Sequence, residues 1–444
     1  MFQAGFARVD VTPPFGSPLA GYSKKREADH VLDPIELNCV AFSDGENTGV
    51  IITADFTSVL ENASTFIRGK IAQRCKIPAE FVFMQALHQH TTIRVGTRPI
   101  SSGPYLKDEA YFDVLWRKYC DVAQSAIADL KDATLSYGIG ACAEQISFVR
   151  RYRMKDGSVK TNPGRGKGDL VSHPLDEPDN SVRFLRLKRE DADDIAVINF
   201  ACHPDVIGYI DPTGFSADWP GHARRITEKN IPGVKCMLIN GFQGDSNHIN
   251  PFRPKEEEQK RRGVPHSTFM GKTISDVVVD LWDKTTPLET GRVWGKFEML
   301  YIPTNMAGYD RIEECQQTLK EVALGLREPL KTATIISETK RIATFPEEML
   351  YQRVPVTALC IGKVGFVGFG GEPFTKYIQM VREKGGDMLM MTACQANGGQ
   401  GYLPTKAAYD EGGYEARSSR FDPVLEEKLT ECTRRLLDEY QSLS

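Results

Sequence analysis

The sequence lacks the features that would assign it to a membrane, a nucleic acid or a secretory route. Its 55 lysine and arginine residues nearly balance 59 aspartate and glutamate residues, for a formal net charge of −4. No excess of charge therefore attracts nucleic acid or an anionic membrane surface. No apolar run is long enough to span a bilayer, and residues 1–8 have neither the basic region nor the apolar core of a signal peptide. We expect no nucleic-acid partner and no membrane insertion.

Paired cysteines are also missing. The ten cysteines form no Cys-x-x-Cys pair, and Cys202, Cys236 and Cys360 lie inside apolar, strand-like runs. Such cysteines are typical of small buried hydrophobic positions in a reducing compartment, not of a disulfide framework or a zinc knuckle. The sequence therefore predicts a cytoplasmic protein. The sequence contains no internal repeat, low-complexity tract or obvious linker, which predicts one domain over 1–444. The segment 305–330 is a candidate helical insertion within it.

Strand-like apolar runs and stretches of helical spacing alternate along the chain. Their order predicts an α/β fold, with a mixed central sheet flanked by helices and a metal site at strand ends and loops. A polar, basic stretch at 150–173 predicts a solvated loop or, alternatively, a substrate-facing lid or a clamp for phosphate or carboxylate. The predicted strands lie at 4–22 (broken at Pro13), 37–42, 48–54, 81–92, 134–149 (two strands), 182–187, 195–201, 234–240, 358–369 and 389–393. The predicted helices lie at 60–75, 109–130, from 218 onward, 268–283, 309–326, 374–384 and 422–441.

The stretch 81–92 ends a short, apolar, strand-like run with two histidines one residue apart. On a strand, His88 and His90 would project to the same side, because successive side chains alternate between faces. Neutral imidazole is the commonest protein ligand of transition metals. The spacing therefore indicates a metal site, and a pair of hydrogen-bonded core histidines is the alternative.

Other predicted strands also end in chemically active side chains. His203 follows the strand 195–201, Glu372 follows the run 358–369, and the turn Gly244-Asp245-Ser246 follows 234–240. Together with the histidine pair, these segments resemble the catalytic domain of the neutral (non-lysosomal) ceramidase family. The matching pieces, in the family's order, are Ala4-Gly-Phe-Ala-Arg-Val-Asp-Val-Thr-Pro-Pro, His88-Gln-His-Thr, Asn199-Phe-Ala-Cys-His-Pro, Asn240-Gly-Phe-Gln-Gly-Asp-Ser-Asn, Gly371-Glu-Pro-Phe, and Gly401-Tyr-Leu-Pro-Thr with Tyr409 and Tyr414-Glu.

The resemblance implies a set of site residues. It implies one zinc ion held by His88, His203, Glu372 and Tyr402, with His90 as the second active-site histidine. It assigns the stabilisation of the reacting carbonyl to Tyr414 and to one arginine, either Arg150 or Arg151. Ser246 lies near, but shifted from, the position of the family's serine. The candidates for substrate contact are Thr91, Asn247, Gln395 and Tyr409.

The chain also departs from the family pattern. The family's His-Thr-His-Ser-Gly-Pro reads His88-Gln-His-Thr-Thr-Ile here, which removes a Gly-Pro turn from the pocket wall. The sequence ends after its last predicted helix, without the family's C-terminal sandwich domain. Ceramide is a membrane lipid, and the chain has no lipid-facing stretch. We therefore expect a short, bacterial-type relative that acts on a small, soluble, polar substrate.

The expected chemistry is amide hydrolysis by metal-activated water. Two histidines, a carboxylate and an open position form a known catalytic zinc set. His90 would carry the proton to the leaving amine, and Tyr414 with one arginine would stabilise the oxyanion. The alternatives are a zinc-dependent esterase or lactonase on a hydroxylated substrate, a true ceramidase on sphingolipid, and a non-catalytic metal-binding protein. A serine esterase is disfavoured because no late Asp-x-x-His accompanies Ser246. The sequence leaves open whether the chain forms a homo-oligomer.

Overall fold

A nine-stranded mixed sheet forms the centre of the molecule, so the predicted α/β class is confirmed. The computed structural model describes residues 1–22, 24–96, 109–345 and 350–443. The strands of this sheet are β1 Gln3–Asp10, β2 Glu36–Ser43, β3 Thr48–Ala54, β4 Val82–Ala86, β5 Lys131–Ala141, β6 Ser181–Arg189, β7 Asp194–Phe200, β8 Val234–Asn240 and β9 Thr286–Leu288.

The strands of this central sheet are ordered β8-β7-β6-β5-β1-β2-β3-β4, with β9 paired to β5. The pairs β3–β4 and β7–β8 are parallel, and the other neighbours are antiparallel. The sheet curls so that its two edge strands meet. Gln85 at the end of β4 donates from Nε2 to the Asn240 carbonyl at the end of β8 (2.6 Å), and Asn240 donates from Nδ2 to the Leu87 carbonyl (2.9 Å). These buried amides bring distant strand ends to one place.

A second sheet, which the sequence patterns did not separate from the first, packs on one face of the central sheet. The apolar run 358–369 is the end of one strand and the whole of the next, not a single strand. Because both faces of the two strands in this run are covered, their sequence is continuously apolar and does not alternate. The strands are β10 Val293–Pro303, β11 Tyr351–Ile361, β12 Val364–Phe369 and β13 Leu389–Ala393.

Helices cover both outer faces of the two sheets. Two helices pack on the β1–β4 part of the central sheet, two on its β6–β8 part, and two on the outer face of the second sheet. The longer helices are α1 Glu61–Cys75, α2 Glu109–Ala128, α3 Asp218–Asn230, α4 Gly263–Leu281, α5 Ile312–Ala323, α6 Ala333–Ala343, α7 Lys376–Gly385 and α8 Leu425–Gln441. Among the described residues, none of the helices is long and apolar enough to cross a membrane.

Two regions differ from their predicted structure. The stretch 150–173 was predicted as a loop but contains a three-stranded sheet of Arg151–Met154, Val159–Thr161 and Val171–Pro174. Its strands are too short and too polar to be recognised from an apolar run. Helix α6 was not predicted. It follows α5, which lies within the 305–330 segment, and the assignment of that segment as an insertion stays a prediction.

Candidate metal centre

The loop after β4 carries His88 and His90. Their rings converge, but not because side chains alternate along a strand, as predicted. Strand β4 ends at Ala86, so neither histidine lies on it. His88 adopts a left-handed backbone conformation (φ +77°), which is uncommon outside glycine. Its N–H donates to the Phe56 carbonyl (2.9 Å), and the His90 N–H donates to the Pro204 carbonyl (3.0 Å). The turned backbone of the loop, not strand alternation, therefore brings the two rings together.

Two further strand ends deliver the other side chains. His203 follows β7 and is fully buried. Glu372 follows β12, and in a two-residue parallel ladder it lies opposite Tyr402. The turn after β8 approaches this ladder closely, because a Cβ on Gly244 would lie 2.2 Å from the Glu372 carbonyl oxygen. Glycine is the residue that permits this contact.

Three nitrogen atoms and one carboxylate oxygen converge on a small buried volume. Glu372 Oε2 lies 3.3 Å from His88 Nε2 and 3.4 Å from His203 Nε2. His90 Nε2 lies 3.4 Å from His88 Nε2. A tetrahedral zinc ion with bonds of about 2.0–2.1 Å imposes ligand separations of about 3.3–3.4 Å. Among the described residues, the histidines 88, 90 and 203 form the group that could hold a metal ion.

Hydrogen bonds at the opposite ring nitrogens orient two of these imidazoles. His88 Nδ1 lies 2.8 Å from the Thr57 carbonyl, and His203 Nδ1 lies 3.0 Å from the Gln243 carbonyl. Because a carbonyl accepts, each Nδ1 carries the proton and each Nε2 presents a lone pair. This is the arrangement that metal-binding histidines adopt. His203 Nε2 and Glu372 Oε2 have no hydrogen-bond partner among the described residues, so the donor set fits a bound metal ion.

The surroundings favour an ionised carboxylate at Glu372 and neutral imidazoles at His90 and His203. Burial raises the pKa of Glu372, but its close approach to the His88 and His203 rings outweighs burial and holds the pKa well below its usual range. Burial lowers the pKa of His203, and the Arg150 charge lowers it further. Burial and the two neighbouring imidazoles lower the pKa of His90 well below its usual value. A carboxylate with neutral imidazoles is the protonation state that binds a cation.

The ring of His90 is held on two sides. Tyr22 meets it edge-on, with ring centroids 4.9 Å apart. On the other side lies Gly21 (φ +92°), where a Cβ would come within 2.3 Å of the His90 ring. Its Nδ1 has no hydrogen-bond partner among the described residues. His90 therefore has one nitrogen beside the other imidazoles and one nitrogen free for proton transfer.

A tyrosine–arginine cluster adjoins the carboxylate side of the centre. Arg150 donates from Nη2 to the Tyr402 hydroxyl (3.0 Å) and from Nε to Glu415 (2.8 Å). Tyr414 meets Tyr402 edge-on at 5.5 Å between ring centroids. Burial raises the pKa of Tyr402 well above its usual value, although the Arg150 charge opposes the rise. In contrast, Arg151 donates to Glu411 (3.0 Å) and to the Gly412 carbonyl, so Arg150 is the arginine that contacts the site tyrosine.

The remaining predicted site residues lie at varying distances from the centre. Gln395 Nε2 lies 3.2 Å from His88 Nδ1. The Thr91 hydroxyl donates to the Ser216 carbonyl (2.7 Å), and the Tyr409 hydroxyl donates to the Phe421 carbonyl (2.7 Å). Ser246 is buried in the turn after β8. The Asn247 side chain donates to Asn162 (2.8 Å). Of the four predicted substrate contacts, Gln395 is the one whose side chain forms a described contact with a histidine of the centre.

Sequence reasoning missed several residues around the centre. The Thr57 and Gln243 carbonyls are backbone groups, which no side-chain motif reveals. The pairing of His248 with Asp205 was not predicted, although Asp205 stands two residues after His203. The His248 Nδ1 and Asp205 Oδ1 atoms lie 3.2 Å apart. Asp55, which follows β3, accepts a hydrogen bond from the side chain of Gln89 (3.0 Å), the residue between the two loop histidines.

These observations define an α/β protein of two facing sheets with a buried site that could hold a metal ion. Its fold is that of neutral ceramidase, so the predicted resemblance is confirmed at the level of the fold. Neutral ceramidase from Pseudomonas aeruginosa superposes with a TM-score of 0.69 at 14% identity, over 99% of this chain and 75% of that chain. A ceramidase complexed with C2 gives 0.68 at 13%, over the same shares. No protein-family model and no curated protein matches the sequence.

Proposed function

We propose that the protein is a zinc-dependent hydrolase that cleaves the amide bond of a small, polar N-acyl compound. One zinc ion would be held by His88, His203, Glu372 and Tyr402. The observation that carries the proposal is the position of Glu372 Oε2, within 3.4 Å of both His88 Nε2 and His203 Nε2. The likeness of the fold to neutral ceramidase supports an amide bond as the point of cleavage.

When bound, zinc would polarise the substrate carbonyl and lower the pKa of a water molecule to about 7. The protein's part is to hold the donor atoms in place before any ligand arrives. The Thr57 and Gln243 carbonyls fix the tautomers of the two histidines. The short ladder between Glu372 and Tyr402 fixes the carboxylate beside the phenol. Such preorganisation lowers the cost of reaching the reactive geometry.

We assign proton transfer to His90. Its ring is buried and held by Gly21 and Tyr22, and its Nδ1 has no partner among the described residues. A neutral imidazole in this position can accept the proton of the attacking water and pass it to the leaving amine. Because His90 Nε2 also lies 3.4 Å from His88 Nε2, the competing role is that of a metal ligand, which a His90→Gln variant distinguishes.

We assign oxyanion stabilisation to Tyr414 and Arg150. Tyr414 packs against Tyr402, and Arg150 donates to the Tyr402 hydroxyl. Donors that are already oriented in a buried site stabilise the negative charge of a tetrahedral intermediate. Ser246 receives a supporting role, because its hydroxyl donates to the Gln243 carbonyl (3.4 Å), the same group that accepts from His203.

The polarity of the surroundings supports a polar substrate. Among the described residues, the Oε1 atoms of Gln243 and Gln395 are buried without a hydrogen-bond partner. Gln395 also contacts His88 through its Nε2. A buried amide oxygen without a partner costs free energy unless a ligand donates to it. Hydroxyl or amine groups of the substrate would satisfy these two oxygens.

The experiment is a hydrolysis screen of zinc-loaded protein across short N-acyl amines, matched esters, lactones and a ceramide. We expect cleavage of the N-acyl amines, loss of it in His203→Ala, and full retention in the control His173→Ala, which removes an exposed histidine. Faster cleavage of esters or lactones would assign the site to those substrates. Faster cleavage of ceramide would make the protein a true ceramidase. Normal activity in His203→Ala would refute the mechanism.

We further propose that the protein works in the cytoplasm. All ten cysteines are free, and most of them are buried. Free thiols in this number are typical of a reducing compartment. Fractionation of the source cells, with detection of the protein by antibody, tests this location.

A further inference from the structure

The backbone of His90 is held by a buried arginine from the first part of the chain. Arg26 donates from Nη2 to the His90 carbonyl (2.8 Å) and to the Ala20 carbonyl. From Nη1 it donates to the carbonyl of Gly208 (3.3 Å), in the loop that follows His203. One guanidinium group therefore binds carbonyls of three segments that are far apart in the sequence. Because charge-assisted hydrogen bonds are strong, Arg26 joins the histidine loop firmly to its two neighbours.

The ring of His90 is held by Tyr22, which Arg26 also contacts. The Arg26 guanidinium lies over the Tyr22 ring, with its Cζ atom 4.5 Å from the ring centroid. The Tyr22 ring meets the His90 imidazole edge-on, at 4.9 Å between centroids. At its other end, the Tyr22 hydroxyl donates to the Asp205 carbonyl (3.0 Å). The cation above the ring and the anchored hydroxyl both restrain Tyr22, so they also restrain the imidazole that it contacts.

The packing around these three side chains is close. A Cβ added to Gly208 would lie 2.8 Å from the His90 carbonyl oxygen, and 3.0 Å from both Arg26 Nη1 and the Tyr22 ring. The backbone of Gly208 thus packs directly against all three residues. In an interior of this density, a change at one side chain displaces its neighbours. Loss of Arg26 would therefore release the backbone and the ring of His90 together.

The other two histidines of the centre are oriented in a different way. Backbone carbonyls lie 2.8 Å from His88 Nδ1 and 3.0 Å from His203 Nδ1. Such bonds fix the tautomer and the orientation of a metal-binding ring. For His90, ring packing and the bonds to its own backbone take this part. A proton carrier needs a fixed position, because a small displacement of a reacting group lowers the rate.

We propose that Arg26 is a positioning residue for proton transfer, which acts through Tyr22 and through the backbone of His90. The proposal rests on the proposed hydrolase function and on the role of His90 in it. Because Arg26 acts on the proton carrier, its loss should lower kcat and leave KM and the zinc content little changed. A displacement of about 1 Å can reduce the rate about 10²-fold.

The test compares Arg26→Gln with Arg68→Gln, because Arg68 is a buried arginine with the same kinds of contact at the start of β4. Arg68 donates to the carbonyls of Val82 (3.1 Å) and Ala79 (2.7 Å), and its Cζ lies 4.1 Å from the Phe297 centroid. The substrate is the N-acyl amine that the zinc-loaded wild type cleaves fastest. We expect kcat to fall about 10²-fold in Arg26→Gln and to stay at the wild-type value in Arg68→Gln. Arg26→Lys, which keeps the charge and a donor, should recover part of the loss.

A second readout needs no turnover. In metal-free protein with labelled histidine and tyrosine rings, nuclear Overhauser effects between His90 and Tyr22 report the contact of the two rings, and His90→Gln assigns the signals. We expect these effects in the wild type and in Arg68→Gln, and their loss in Arg26→Gln. Thermal melts check that each variant folds. If Arg26→Gln does not fold, Arg26→Lys replaces it in both readouts, with smaller changes in the same direction.

The outcomes separate this proposal from the proposed function. In a protein that hydrolyses the substrate, loss of both the ring contact and kcat in Arg26→Gln, at unchanged zinc content, supports the proposal. Loss of only one of them, or an equal loss of kcat in Arg68→Gln, overturns it. If no substrate is cleaved, the ring contact decides alone. Its loss in Arg26→Gln would then leave Arg26 as the positioning residue of His90 and refute the hydrolase, whereas hydrolysis with kcat and ring contact unchanged would do the reverse.

Discussion

Arg224 Nη2 lies 2.6 Å from Asp55 Oδ2, and neither side chain is exposed to solvent. A second hydrogen bond joins Arg224 Nη1 to Asp55 Oδ1 (2.9 Å), and Gln89 donates to the same oxygen (3.0 Å). Gln89 stands between the two histidines of the loop after β4. The buried ion pair therefore supports the loop that carries His88 and His90, and it links α3 to the end of β3.

Removing the acid of this pair should destabilise the protein strongly. Asp55→Asn leaves Arg224 buried beside only Glu36, whose Oε2 lies 3.2 Å away. Loss of one partner of a buried pair costs about 3–5 kcal/mol, which urea unfolding measures. The control is Asp438→Asn, which breaks an exposed pair on α8 and should change stability by about 1 kcal/mol or less. Equal effects of the two substitutions would contradict the supporting role of Asp55.

His90→Gln should retain zinc and lose hydrolysis. The substitution removes the proposed proton carrier but leaves His88, His203 and Glu372 in place. Proton transfer by a positioned side chain contributes about 10²–10⁴-fold to the rate. Zinc content and kcat of the same preparation decide the role. A metal-free His90→Gln protein would make His90 a ligand, in agreement with its 3.4 Å approach to His88.

Tyr414→Phe should slow turnover without releasing zinc. Removing one oxyanion donor costs about 10²–10³-fold in kcat, and KM should change little because the ground-state carbonyl carries no full charge. Tyr409→Phe is the matched control, since the Tyr409 hydroxyl contacts the Phe421 carbonyl and the Ser419 hydroxyl and no side chain of the centre. If Tyr409→Phe slows the reaction as much as Tyr414→Phe does, the assignment of the oxyanion donor is wrong.

His30 should titrate above its ordinary value. Hydrogen bonds to Asp29 (2.6 Å) and to Asp211 (3.0 Å) raise the pKa of His30 above 6.5. A raised native pKa means that the interaction stabilises the fold fully below about pH 6.5 and loses this effect as the pH rises through the native value. NMR titration of the ring protons measures it. Asp211→Asn should lower the pKa, and a wild-type value at or below 6.5 would refute the interaction.

The sequence predicted the parts of the fold that follow from apolar periodicity. Strand β13 was predicted at 389–393 and found at Leu389–Ala393, because a strand buried on both faces is nearly continuously apolar. The stretch 150–173 escaped prediction because its strands are short and polar. The division of the apolar runs into two sheets was also not predicted. An apolar run indicates that a strand is buried, but it does not indicate which element covers the strand.

The predicted candidate site came from the motifs that resemble the neutral ceramidase family. Of the metal ligands that the resemblance implied, His88, His203 and Glu372 do lie together. The left-handed backbone of His88 could not be read from its residue type, because most histidines do not adopt that conformation.

Zinc titration of metal-stripped protein tests the central claim most directly. The account predicts tight binding of one zinc ion per chain by wild type and by His173→Ala. It predicts loss of that site in His203→Ala and in Glu372→Ala, with all four proteins folded by circular dichroism. Wild-type zinc affinity in either of the last two variants, or no tight site in the wild type, would contradict the account.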